Sequence, residues 1–318
     1  SLKTSTIISV VAMTFNCLAL YLIITRSRKE VGNYKYLLIA FLCTDSFFSL
    51  LHRLCDPVLS FRGGFFVSHC EGIVDSSFAL TLYGAAGSLS FPLLAYHFLY
   101  RALVVSRAIS PRVQPFRHSK LLVACLTVFL LLEATVWIVF NYELRLDSSD
   151  AKIRAKIAET HPYLANRTEL IVIVPIMEGE MNPKVARNAW PLLAIALSSF
   201  ATILFCALKI IHALYIQMAM SLPSMHMHRR MFVALFVQML VSTCTMFLPS
   251  MAAIGLPFIA QDSIEIPDWV IGLCYSLYPL LDPIVIILCI RDYRFGLSQL
   301  LRIPRKKSAS GPRSTVSD

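Results

Sequence analysis

Thr4 to Thr25 reads TSTIISVVAMTFNCLALYLIIT, 22 residues without a charged side chain, closed by Arg26. A bilayer hydrocarbon core about 30 Å thick is crossed by roughly 20 helical residues rising 1.5 Å each, so this run decides the class of fold. It is too long for the apolar core of a secretory signal, and no small-residue cleavage site follows it. Six further runs repeat the pattern: Tyr36 to about Leu54, Val74 to Tyr100, Leu121 to Phe140, Ala189 to Leu208, Met231 to Ala260 and Trp269 to Ile290. In the second, His52 and Arg53 lie near the end and must reach back toward water.

Composition agrees. Of 318 residues, 57% are hydrophobic and 15% charged, with a mean hydropathy of +0.66, outside the balance of a water-soluble domain. The net charge of +10 does not point to nucleic acid, because the basic residues lie between apolar runs rather than on one exposed face. Nine cysteines are scattered without close C-x-x-C spacing, which argues against a metal site or a disulfide scaffold. Most lie inside apolar runs; Cys55 and Cys70 flank a loop. The expected fold class is an all-α membrane protein, a seven-transmembrane helix bundle with a short amphipathic surface helix after the seventh span. Residues 1–290 form the membrane domain, and 291–318 the surface helix with a basic, Ser-rich tail.

Charge sets the expected orientation. The alternate turns at 26–35, 101–120 and 209–230, with the tail at 291–318, hold 19 basic residues and three acids, against 10 basic and 13 acidic residues on the opposite side. The positive-inside rule then puts the N-terminus outside and the C-terminus in the cytoplasm. Asn166-Arg167-Thr168, a glycosylation acceptor sequence, falls in a loop assigned to the outside.

Three carboxylates sit within the runs, each costly unless paired, protonated or hydrated. Asp45 and Asp282 lie at similar depth and, with Asn16, are expected to form one polar cluster across helices one, two and seven, either a structural knot or a switch that rearranges with helix packing. Glu133, in the outer half of the fourth run, is read either as a ligand counter-ion or as an interhelical hydrogen bond. Pro92, Pro249, Pro279 and Pro283 mark kinks. Gly84 to Ser88 permits close helix approach or leaves room for a ligand. Beyond the seventh run, Arg291 to Leu301 is amphipathic, and Arg302, Arg305, Lys306 and Lys307 suit an anionic inner leaflet.

Seven spans, an outside N-terminus, Tyr100-Arg101, and Asp282-Pro283 ahead of a short helix together resemble G-protein-coupled receptors. More narrowly, Gly32-Asn33-Tyr34-Lys35-Tyr36-Leu37-Leu38-Ile39, His97-Phe98-Leu99-Tyr100-Arg101-Ala102-Leu103, and Asp282-Pro283 followed by Arg291-Asp292-Tyr293-Arg294 look like the nematode Str-type serpentine chemoreceptors. The resemblance implies an olfactory-type receptor in the plasma membrane of a sensory neuron cilium. Such a receptor binds a small odorant-like molecule from outside and activates a heterotrimeric G protein, with no cofactor, metal or nucleic acid. Carried over by residue, Arg101 matches the arginine at the inner end of helix three, Asn16 and Asp45 match polar positions of helices one and two, and Asp282-Pro283 stands where rhodopsin-like receptors have Asn-Pro. The chain departs in having Tyr100 where an acid is usual and Ile286 where a tyrosine is usual. Helix five has no mid-span proline. The loop from Asn141 to Asn188 has no cysteine, which leaves Cys55 with Cys70 as the outer pairing.

The expected pocket is mostly apolar and lies in the outer half among helices three, five, six and seven. Its candidate lining is Thr81, Tyr83, Trp190, Phe247, Met251, Tyr275 and Tyr278, chosen for depth and size, with Glu133. Switching is expected to move the inner end of helix six, near Arg229 and Arg230, away from Arg101. A seven-helix ligand-gated channel or transporter is the rival reading, since buried carboxylates serve those functions too. An intramembrane metal hydrolase needs converging histidines, and His97 is the one histidine well inside a run.

Overall fold

The computed structural model describes residues 2–27, 34–62, 64–109, 119–146, 150–174, 176–177, 180–219, 225–259 and 267–301. In chain order the helices are α1 (Leu2–Arg26), α2 (Tyr34–Cys55), α3 (Ser77–Ser88), α4 (Ser90–Ile109), α5 (Ser119–Glu143), α6 (Ala151–Thr160), α7 (Pro183–Ala219), α8 (Met225–Ser242), α9 (Leu248–Ile259), α10 (Asp268–Cys289) and α11 (Arg291–Leu300). The strands are β1 (Pro57–Arg62), β2 (Phe65–Cys70), β3 (Ile171–Ile173), β4 (Ile176–Met177) and β5 (Glu180–Met181).

Seven helical stretches are long and apolar enough to cross a membrane: Thr6–Arg26, Tyr34–Cys55, Ser77–Ser106, Val123–Glu143, Pro183–Ile216, His228–Ala252 and Trp269–Cys289. They follow the seven apolar runs in order, although the fifth extends well beyond Ala189 to Leu208 at both ends. Val128, Leu131, Leu197, Leu204 and Phe205 stand exposed around the belt. So much exposed apolar surface suits lipid and not water.

Two spans are interrupted, each beside a proline. The third breaks at Leu89, between α3 and α4. Pro92 has no N–H for the Ser88 carbonyl, and its ring crowds that oxygen. The sixth widens to a π turn over Thr243–Phe247, with the Leu248 N–H reaching back to Thr243 O, just ahead of Pro249. The seventh stays helical through Pro279 and Pro283, and at the second of them a neighbour repairs the ladder. Pro283 leaves the Pro279 carbonyl without its donor four residues on, and Asn16 Nδ2 supplies one at 2.8 Å while also bonding Ala12 O at 3.0 Å.

The loops between the second and third spans and between the fourth and fifth, where the sequence reading assigned no structure, fold into a cap. β1 and β2 form an antiparallel hairpin from Pro57 opposite Cys70 to Arg62 opposite Phe65. β3 joins it, pairing Ile173 with Phe66 and Ile171 with Ser68. Side chains alternate with period two along these strands. Phe66, Cys70, Ile171 and Ile173 pack with the bundle residues Phe48, Tyr83, Phe140 and Tyr278. Phe65, Val67 and Val172 turn the other way into a small core with Leu146, Ile157, Leu164 and Leu170. His161, fully buried, hydrogen-bonds Ser60 Oγ at 2.9 Å and ties α6 to the hairpin. At the base of the hairpin the Cys55 thiol hydrogen-bonds the Cys70 sulfur, which holds the Cys70 thiol below its ordinary pKa.

At the opposite end the core is built from Leu22, Leu38, Phe41, Leu94, Phe98, Ile203, Leu235 and Ile286. α11 turns off α10 at Ile290 and tucks under α1: Tyr293 OH meets Ser27 Oγ at 2.9 Å, and a Cβ on Gly296 would come 2.8 Å from Leu22 Cδ2. Arg302 and the basic, Ser-rich tail lie outside the described residues.

Gly72 provides a sharp test of the cap. A Cβ there would stand 2.3 Å from Leu54 O and 2.6 Å from the Cys55 carbonyl carbon, backbone atoms that cannot rotate away. Gly72→Ala is expected to destabilise the protein by roughly 1–3 kcal/mol, read as a lower midpoint of thermal unfolding. Gly255→Ala, where a Cβ meets nothing within 4 Å, is the control.

Candidate functional site

A cavity of about 140 Å³ lies between the sheet and the helices, lined by Phe48, Tyr83, Phe91, Glu133, Trp137, Phe247 and Tyr275 among others. Its walls come from α2, α3, α4, α5, α7, α9, α10 and the π turn, with Leu59, Phe66, Ser68, Ile171 and Ile173 of the sheet closing it. Of the residues expected in a pocket, Tyr83, Phe247, Met251, Tyr275 and Glu133 line it. The other three lie elsewhere. Thr81 turns its hydroxyl onto its own helix, at Ser77 O. Trp190 is 65% exposed, because Leu192 and Ala196 carry the cavity-facing stripe of α7 and a residue two places before Leu192 points about 200° away around the helix. Tyr278, fully buried, packs edge-on against Phe48 at 6.1 Å, outside the cavity wall.

Beside Tyr278 lies the polar cluster. Asp45 and Asp282 face one another closely enough to interact, and Gln238 Nε2 of α8 donates to Asp282 Oδ2 at 2.9 Å. Asn16 joins through Pro279 O rather than through either carboxyl. The grouping of Asn16, Asp45 and Asp282 follows the sequence expectation. Gln238 was missed, although its signal was present: it is the one amide in an otherwise apolar stretch from Met231 to Val241.

Farther toward α11, Arg101 is 4% exposed. Its guanidinium carbon stands 4.0 Å from the centroid of the Tyr34 ring, and its Nη2 contacts Met231 Sδ. Tyr34 in turn meets His97 Nδ1 through its hydroxyl at 3.2 Å and stacks on Tyr100 at 5.6 Å. Tyr100 therefore braces the ring that holds the arginine. The sequence reading began the second span at Tyr36 and gave Tyr34 no role. Arg229 and Arg230 are exposed on α8, two and one residues before the buried Met231. Pro283 acts through the carbonyl it frees.

The sheet is fastened to the third span by Glu169. Its Oε2 accepts the Ser77 N–H at 3.0 Å and the Ser77 hydroxyl at 2.5 Å, and its Oε1 meets Arg145 Nη2 at 2.9 Å. A carboxylate that accepts donors at a helix N-terminus is stabilised in its charged form. Glu169 is accordingly held below the usual carboxylate range, chiefly by the Ser77 hydrogen bonds.

Seven membrane-crossing helices with a lined cavity toward one end and a buried arginine toward the other define a receptor of the G-protein-coupled class. The fold agrees: squid rhodopsin superposes with a TM-score of 0.61 over 93% of this chain and 83% of its own, at 12% identity. Residues 2–298 match the family of serpentine type 7TM GPCR chemoreceptors, Str, and the chain belongs to that family. Serpentine receptor class r-10 of Caenorhabditis elegans is 24% identical over 96% of this chain and 92% of its own length. Its Caenorhabditis briggsae counterpart is 22% identical over the same shares. G-protein coupled receptor str-33 of Caenorhabditis elegans is 23% identical over 91% of this chain and 87% of its own. The protein is thus a multi-pass plasma-membrane receptor rather than an enzyme.

The Glu169 fastening has a pH signature. Its folded pKa is depressed, so its contribution to stability is complete above the unfolded value of about 4.3 and is lost as pH falls through the folded value. Thermal midpoints measured from pH 7 to pH 3 should fall less for Glu169→Gln than for the wild type. Parallel curves for the two proteins refute the fastening.

Proposed function

We propose that the chain is a chemosensory receptor of the olfactory type, with its sheet and N-terminus outside the cell and α11 in the cytoplasm. In this reading a small molecule enters the cavity from outside and a heterotrimeric G protein is activated inside. The charge asymmetry of 19 basic and three acidic residues on one side against 10 and 13 on the other supports the orientation. Asn166, exposed in a turn of the cap, is available for glycosylation on that topology. α11 then lies against the anionic inner leaflet, and family membership supports a sensory cilium as the site of action.

The observation that carries the reading is the clasp on Arg101. It joins α2, α4 and α8 through an aromatic face and a thioether, with no carboxylate against the guanidinium among the described residues. A desolvated cation–π contact is worth about 2 kcal/mol, enough to hold a bundle closed and weak enough for a ligand to overcome. Between cavity and clasp run Phe48 stacked on Tyr83 at 4.7 Å, then Tyr278, then the Asp45, Asp282 and Gln238 cluster. α8 carries both Gln238 and Met231 and meets α9 at the π turn that lines the cavity. A ligand that shifts this turn therefore acts on Arg101 through one helix, and Arg229 and Arg230 move with it, opening a cleft for the G protein.

On the same topology Cys55 and Cys70 are in an oxidising compartment. We propose that they form a disulfide, in which the two thiols lose two protons and two electrons to a protein disulfide acting as oxidant. Alkylating the denatured receptor before and after reduction should add two labels only after reduction in the wild type. Equal labelling before and after overturns the bridge.

The clasp is tested with Tyr34→Leu and Arg101→Ala at matched surface expression. Removing about 2 kcal/mol from the closed state shifts the equilibrium toward the open one by roughly 30-fold, so Tyr34→Leu should raise ligand-independent G-protein activation. Tyr34→Phe, which keeps the ring face, should not. Arg101→Ala should abolish signalling while leaving ligand binding intact. Wild-type signalling by Arg101→Ala, or a ligand-evoked current in cells lacking G proteins, contradicts the reading.

A further inference from the structure

Besides Trp137, the described lining of the cavity has seven polar residues, and six already have partners. Ser68 Oγ donates to Ile171 O at 3.3 Å, Ser88 Oγ to Ala85 O at 2.8 Å and Asn141 Nδ2 to Trp137 O at 2.8 Å. Ser250 Oγ bonds both Met246 O and the Tyr275 hydroxyl at 2.7 Å. Tyr83 OH meets His52 Nδ1 at 3.0 Å. Glu133 is the exception. It is 4% exposed, and neither a hydrogen bond nor an ion pair reaches it among the described residues, its Oε2 being buried without a partner. Among the described residues no lysine, arginine or histidine lines the cavity.

α5 brings Glu133 there on a definite stripe. Trp137 and Asn141 follow at i+4 and i+8 with Phe140 between them, and all four line the cavity. An ionised carboxylate left alone in such surroundings is costly, and a simple alcohol offers it one donor and no charge. An ammonium group supplies both the opposite charge and up to three donors. The aromatic faces of Trp137, Phe140 and Tyr275 suit a cation as well.

We propose that Glu133 is the recognition group for a compact organic amine, whose ammonium pairs with the carboxylate while its hydrocarbon body fills the apolar remainder. This rests on the cavity being the ligand site. Size bounds the body: a cavity of about 140 Å³ is close to the engineered apolar cavity of ~150 Å³ that takes up benzene, so the guest has about six to eight non-hydrogen atoms.

The test uses purified full-length receptor in nanodiscs and binding read by thermal shift, which needs no G protein. A panel of primary amines of that size, cyclohexylamine and benzylamine among them, is compared with the matching alcohols and hydrocarbons. At least one amine should bind the wild type ten-fold or more tighter than its alcohol. Glu133→Gln should lose that ten-fold preference while keeping its affinity for the hydrocarbon, and Glu133→Asp should retain part of the preference. Gly84→Leu, which pushes a side chain into the cavity beside Trp137 and Asn141, should weaken all three classes. If no amine exceeds its alcohol on the wild type, or Glu133→Gln keeps the preference, the amine assignment is overturned. If Gly84→Leu leaves every affinity unchanged, the cavity is not the binding site and the reading beneath it fails separately.

Discussion

A polar group inside a bilayer has no water to bond, so every backbone carbonyl that a proline frees must be answered from within the protein. In α10 that demand falls on Pro279 O, and Asn16 meets it. The bond fixes the depth and rotation of α1 against α10. Its consequences spread: with α1 and α10 in register, Asp282 faces Asp45 of α2, and Gln238 of α8 completes the cluster. Four helices are thereby held through a handful of groups.

The two ends of the molecule are built differently, and the difference suits their tasks. At the sheet end, strict alternation along β2 and β3 gives one face to the cavity and the other to a separate small core, so the lid has a stability of its own. At the α11 end no sheet covers the bundle among the described residues. A buried arginine rests on a tyrosine ring and a methionine sulfur, contacts that break without stranding an opposite charge. An ion pair here would cost more to separate in low dielectric.

The seven crossings were legible because length and the absence of charge are enough to mark a span, and the polar trio of Asn16, Asp45 and Asp282 because such residues are rare in lipid. The cap was not legible. Ser68 and His69 interrupt the apolar pattern of β2, and both are buried, one against the cavity and one beneath Tyr163, so polarity misreported their exposure. Trp190 illustrates the opposite error: size suggested a pocket residue, but its position around α7 turns it outward. Tyr34 was missed because nothing local distinguishes a tyrosine at the start of a span from an interfacial anchor. Only the approach of Arg101 from another helix gives the ring its task.

The central claim is that Arg101 lies at a closed joint that opens when a G protein binds. It is tested most directly by the distance between spin labels at positions 104 on α4 and 229 on α8, measured by pulsed electron resonance in nanodiscs with and without a nucleotide-free heterotrimeric G protein. A joint that opens lengthens this distance by several ångströms and populates the longer distance in the Tyr34→Leu protein even without the G protein. A single unchanged distance in every condition contradicts it.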